Sequence, residues 1–127
     1  MLWGCALAGF PSLTVAIPPK YEPTNAVVQK LLGVVAQIDA RHLVASSANV
    51  PPLRPLLPER VALHDVARLD TQVAPEGVPI TPAAGSDVLF YQLTSGSTGT
   101  PKCIPERHAA VIGGGDTAME QGAFWSS

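Results

Sequence analysis

The chain has 127 residues, the size of one ordinary domain. Hydrophobic residues make up 46% and charged residues 14%, which excludes wholesale disorder, and a net charge of −2 offers no footprint for nucleic acid or an anionic membrane. Thirteen prolines exclude long uninterrupted helices and leave a loop-rich chain of short elements.

The opening run, Leu2 to Ala8, suits a short buried helix closed by Gly9. It lacks the basic lead of a secretory signal and is too short to span a bilayer, so a cytoplasmic location without membrane contact is expected. "SLTVAI" at 12–17 predicts a strand, halted by Pro18 and Pro19. Thr24 is the expected N-cap of a helix whose apolar stripe is Val27, Val28, Leu31, Leu32, Val35 and Ile38. Gly33 weakens that helix, which points to a close-packing role for it.

Further on, "HLVAS" at 42–46 and "VALHDV" at 61–66 predict two strands. Between them lies a proline-broken stretch whose Leu53, Leu56 and Leu57 can dock on a core. Residues 70–86 read as a Pro/Gly-rich connection, and "DVLFYQL" at 87–93 is the strongest strand signal in the chain. Alternating helices and strands predict an α/β layer fold with a mainly parallel sheet and flanking helices. His42 and His64 fall in strand-like runs and read as core or edge positions. Asp65 and Asp70 read as solvated carboxylates. Cys5 and Cys103 match no metal-ligand spacing and read as free thiols of a reducing compartment. A neighbouring lysine such as Lys102 can lower the pKa of a thiol, but nothing else marks Cys103 as a nucleophile.

The last strand leads into "LTSGSTGTPKCIPERH" at 93–108. Glycines let successive amides converge on an anion, hydroxyls add neutral donors, and a lysine adds a mobile charge suited to phosphate. The alternative for such a stretch is a Ser/Gly linker. The ATPase-type loop G-x-x-x-x-G-K-[ST] is excluded, because Pro101 stands where its second Gly belongs and Cys103 replaces its Ser/Thr. Pro101 also biases Thr100 toward extended backbone, so the loop is expected between extended segments and not at a helix start.

Residues 94–102 resemble the phosphate-binding loop of adenylate-forming enzymes, Thr-Ser-Gly-Ser/Thr-Thr-Gly-x-Pro-Lys, with His108 at the family's usual distance. That superfamily holds acyl-CoA synthetases, fatty acyl-AMP ligases and the adenylation domains of polyketide and nonribosomal peptide synthases. "DVLFYQLTSGSTGTPKCI" most resembles its fatty acyl-AMP ligase-like and peptide- or polyketide-loading members. Two departures stand out. Cys103 replaces the usual Gly after the lysine, and "PER" at 105–107 replaces the commoner lead into the histidine.

The resemblance implies an N-terminal part of an adenylation domain over residues 1–112, followed by a weakly patterned tail at 113–127. It implies that Thr94, Ser95, Gly96, Ser97, Thr98, Gly99, Lys102 and His108 bind cofactor, and that none of them is catalytic in the narrow sense. ATP and magnesium are the implied cofactors. A carboxylic acid and a thiol, either coenzyme A or a carrier-protein phosphopantetheine, are the implied partners. The family's adenine-, ribose- and acyl-phosphate-contacting segments lie C-terminal to the loop and are not found after residue 108. The chain therefore reads as a fragment of a carboxylate-activating ligase, not expected to turn over alone. A non-catalytic nucleotide-binding module or a non-functional remnant are the alternatives.

Overall fold

The computed structural model describes residues 1–71, 76–77, 79–95 and 101–113, with the side chains of 70 and 71 left aside. The chain divides into two compact units, one of Met1–Thr14, Pro79–Thr94 and Ile104–Ser127, the other of Val15–Val78 and Ser95–Cys103.

The second unit is built on α2 (Ala26–Gln37), β1 (His42–Ala45) and β2 (Ala62–Asp65). Helix α2 begins where Asn25, extended at φ −67°, accepts the amides of Val27 at 2.9 Å and Val28 at 3.4 Å. The cap is thus Asn25 and not the expected Thr24. One residue decides it, because a capping oxygen must sit just outside the first helical residue to reach the second and third amides. The helix ends with Asp39 at φ +48°, the Asp39 amide on the Ala36 carbonyl and the Ala40 amide on that of Val35. This is a Schellman close built on aspartate where glycine is usual.

The apolar stripe of α2 buries Val28, Leu31, Val34 and Val35, while Val27, Leu32 and Ile38 are half-buried at its margins. Leu31 and Val35 form one core with Leu53, Val61 and Leu63. Strands β1 and β2 pair in parallel, with His42 opposite Ala62 and Ala45 opposite Asp65. Leu43, Ala45 and Leu63 pack in that core, so the period-two alternation turns His42, Val44, Ala62 and His64 to the other face.

The proline-broken connection is more ordered than expected. It forms α3 (Val50–Leu53) and a 3₁₀ turn at Arg54–Leu56. Prolines in a first helical turn sacrifice no intrahelical hydrogen bond, so Pro51 and Pro52 permit α3 where they would break a helix interior. Asn49 anchors its start, accepting the Tyr21 hydroxyl at 2.6 Å and donating to the Ser46 hydroxyl at 2.9 Å. Leu53 is buried and Leu57 packs on the core, as expected. After β2, Asp65 accepts the Ala67 amide and the Ser47 hydroxyl and so caps α4 (Val66–Thr71). Asp65 is therefore a structural cap.

In the first unit, α1 (Leu2–Leu7) ends in a Schellman close at Gly9, whose φ of +77° only glycine adopts freely. A Cβ on Gly9 would also lie 3.1 Å from the Thr81 side chain. No residue of α1 is buried, against the expectation of a buried helix. The strand expected at 12–17 shrinks to one parallel bridge, Ser12 to Phe90, with the Tyr91 amide on the Ser12 carbonyl at 2.8 Å. Pro11 and the Pro18-Pro19 pair flank that segment and lack the donors a ladder needs. Strand β3 (Val88–Thr94) follows the signal closely and pairs with β4 (Lys102–Arg107). Mixed helices and strands around a small parallel pair give the α/β class expected.

Gly33 is exposed in the middle of α2 and nothing lies within 4 Å of a Cβ built on it, so the expected close-packing role is absent. Gly33→Ala should therefore raise stability by about 1 kcal/mol, read as a higher urea midpoint; a lower midpoint would contradict the open space seen there. Asn25→Ala should cost about 1 kcal/mol in the same measurement, with most of the loss recovered in Asn25→Asp.

Candidate functional site: the loop between the last two strands

The candidate site is organised by chain order. Strand β3 ends at Thr94, which is half-buried, and Ser95 follows it exposed. Strand β4 starts at Lys102. The loop is thus flanked on both sides by extended, paired strands, as Pro101 predicts, and no described helix starts at Lys102. Gly96, Ser97, Thr98 and Gly99 lie outside the described residues. Thr94 and His108 belong to the first unit, Ser95 and Lys102 to the second.

Lys102 is exposed and pairs with no carboxylate among the described residues. An ammonium in that state retains its three donors for an anion. The next residue is tethered. The Cys103 amide donates to Gln37 Oε1 at 2.9 Å, so the last residue of α2 fixes the start of β4. Sequence reading missed Gln37, because a glutamine at a helix end carries no signal of a partner 66 positions away.

His108 is half-buried and opens a helical stretch running to 113. Its amide donates to the Asp87 carbonyl at 3.1 Å, and the Ala109 amide donates to Gly85 at 3.0 Å. The Asp87 carboxylate accepts the Ala84 amide at 2.8 Å, and the Arg107 guanidinium donates to the Ser86 carbonyl. The turn before β3 therefore grips the chain just after β4, and this bracket holds His108. A Cβ on Gly85 would stand 3.2 Å from Ala109 Cβ, so that glycine allows the close approach. Within the same unit a shallow cleft of about 310 Å³ is lined by His108, Tyr91, Asp87, Phe10, Thr81 and Gly9 among others. Asp87 and Tyr91 were not singled out in the sequence, where they read only as strand residues.

Burial raises the Cys103 thiol above its ordinary pKa, the reverse of what a neighbouring lysine would do. The thiol is half-buried and unbridged, and the Lys102 ammonium does not offset the desolvation. A raised thiol pKa is the opposite of what activates a cysteine nucleophile.

No protein-family profile matches the chain. It is 32% identical over 113 residues to a microperfuranone synthase of Emericella nidulans, covering 87% of this chain and 12% of that protein. An adenylation domain of a keto acid-selecting nonribosomal peptide synthetase module, solved with a keto acyl adenylate bound, superposes with a TM-score of 0.74 at 26% identity. That match covers 94% of this chain and 23% of the solved one. The chain belongs to the adenylate-forming enzyme superfamily. Fatty acyl-adenylate ligases of E. coli and L. pneumophila share the fold, with a TM-score of 0.77 at 20% identity over 94% of this chain and 20% of theirs. The adenylation-domain relatives are thus several times longer than the segment described. Among the described residues no helix is long and apolar enough to cross a membrane.

With Cys5 replaced by Ser, Cys103 should alkylate more slowly at neutral pH than a free cysteine thiol, and catch up only in alkaline solution. Iodoacetamide labelling followed by mass spectrometry reads this directly. Labelling faster than the free thiol at neutral pH would contradict the desolvated environment.

Proposed function

We propose that this chain supplies the ATP phosphate-binding loop of a carboxylate-activating, acyl-adenylate-forming ligase. The observation that supports the reading most is the setting of the loop. The motif of residues 94–102 leaves one strand and enters the strand paired with it, within a chain that superposes on solved adenylation domains over 94% of its length. A disordered Ser/Gly linker would have no reason to be closed at both ends by a ladder. In this reading residues 1–112 are part of an adenylation domain and 113–127 continue beyond the helical stretch that His108 opens.

The chemistry is the one that the resemblance to adenylate-forming enzymes implies. A carboxylate oxygen attacks the α-phosphorus of ATP, the bond from that phosphorus to the pyrophosphate oxygen breaks, and pyrophosphate leaves with its electron pair. Negative charge grows on the β- and γ-phosphates during that step. Backbone amides of Gly96 and Gly99, hydroxyls of Thr94, Ser95, Ser97 and Thr98, and the Lys102 ammonium are the donors assigned to that charge. Hydrogen-bond donors and a cation directed at developing charge stabilise the transition state electrostatically. ATP fits the free ammonium and the hydroxyl-rich sequence. Magnesium supplies further charge neutralisation when bound with ATP, and no residue of this chain is assigned to it. His108, held by its backbone on the wall of the cleft in the first unit, is assigned to cofactor binding by the resemblance alone. The acid, and a thiol acceptor on coenzyme A or a carrier-protein phosphopantetheine, are the partners this chemistry requires, in a cytoplasmic setting. A second reading, a nucleotide-binding module without catalysis, shares the same loop and differs only in the absence of adenylate formation.

In a complete adenylation domain carrying this segment, Lys102→Ala should lower ATP–pyrophosphate exchange at least tenfold, equivalent to about 1.4 kcal/mol or more of lost transition-state stabilisation. Lys102→Arg should retain part of it. Unchanged exchange in Lys102→Ala would remove the role given to the lysine. Exchange in that complete domain separates the two readings: ATP–pyrophosphate exchange favours the ligase, and MgATP binding without exchange favours the module.

A further inference from the structure

The face of β1 and β2 turned away from the core carries an arrangement that the phosphate loop does not use. His42 opens β1 and His64 lies in β2, offset by one pleat, since His42 is opposite Ala62 and Val44 is opposite His64. Such diagonal neighbours on one face are within reach of long or aromatic side chains. The Nδ1 of His42 and the Nε2 of His64 are 3.0 Å apart, with ring centroids at 5.3 Å and planes inclined by 30°. The contact is exposed to solvent.

We propose that His42 and His64 form a two-histidine site for a divalent transition-metal ion, clipping β1 to β2. Two imidazole nitrogens each bound about 2.0–2.1 Å from one metal stand roughly 2.9–3.4 Å apart, from a right angle to a tetrahedral angle at the metal. The observed 3.0 Å falls within that range, near the right-angled end. In the apo pair one of the facing nitrogens holds a proton shared with the other. A metal needs both lone pairs, so that proton moves to the second nitrogen of its own ring, and each exposed ring turns by roughly 35–45° to aim its lone pair off the line between them. No net proton is released from two neutral rings. Among the described residues no third His, Cys, Asp or Glu completes a cluster, so water fills the remaining positions. Imidazole pairs with open water positions suit Zn²⁺, Ni²⁺ or Cu²⁺ and not Mg²⁺ or Ca²⁺, which prefer oxygen ligands. The site is independent of ATP chemistry, because neither histidine belongs to the loop or its flanking strands.

The consequence is structural. A ligand that binds the paired strands and not the unfolded chain stabilises the fold by mass action, and here it would tie two strands of four residues each. The test is calorimetric titration of the full chain with NiCl₂ and with ZnCl₂, alongside thermal melting. One ion per chain, a higher melting temperature, at least tenfold weaker affinity in His42→Asn and likewise in His64→Asn, and loss of the site in concentrated urea would support the clip. Affinity unchanged in either single variant would overturn it, as would equal affinity in urea. An equal melting shift in wild type and in the double variant would do the same, leaving the pair as a proton bridge only.

Discussion

Burial of one stripe of α2 against the parallel pair β1–β2 is the constraint on which its compact unit depends. Leu31 and Val35 meet Leu53, Val61 and Leu63 there, and Val28 beside them is fully buried. Because the strands are only four residues long, the ladder alone could not hold them; two isolated strands are marginal in water. The helix supplies the missing surface. Its length is fixed at both ends, by the Asn25 carboxamide and by the left-handed Asp39. The same fixed length delivers Gln37 to the Cys103 amide. A shift of one residue along α2 would carry that acceptor about 100° around the helix and leave the start of β4 unanchored.

A second bracket works through backbone groups. Asp87 serves twice, its carboxylate on the Ala84 amide and its carbonyl on the His108 amide. Gly85 permits Ala109 to close on the same turn. Strand β3 therefore enters and the helical stretch after β4 departs at one place, and the loop that joins β3 to β4 hangs between two strands that are paired.

Much of this was legible in the residues, for reasons that differ by element. Strand β3 announced itself because Val88, Leu89, Phe90 and Tyr91 are all strand formers. The stripe of α2 was readable from three- and four-residue steps, yet Val34 was missed and the cap was placed one residue early at Thr24. Local chemistry allowed either hydroxyl or carboxamide, and only the backbone angle at Asn25 decides. The Pro-rich stretch hid α3, since prolines break helices except in the first turn. The 12–17 strand failed for the opposite reason: its residues favour a strand, but only Ser12 finds a partner. For the site, Pro101 correctly placed the loop between extended segments. What no local pattern carried were Gln37 and Asp87, whose roles depend on partners distant in sequence or on backbone atoms common to every residue. The resemblance of residues 94–102 to the adenylate-forming loop named the family that the comparisons with known proteins bear out; Gly96 to Gly99 lie outside the described residues.

The central claim is that the segment from Thr94 to Lys102 receives the β- and γ-phosphates of ATP. Amide chemical shifts of the isotopically labelled chain, followed during titration with inorganic pyrophosphate, test it most directly. The account predicts saturable shifts concentrated at residues 95–102, abolished in Lys102→Ala while the resonances of α2 stay in place. Shifts spread evenly over the surface, or none in the loop at millimolar pyrophosphate, would contradict it.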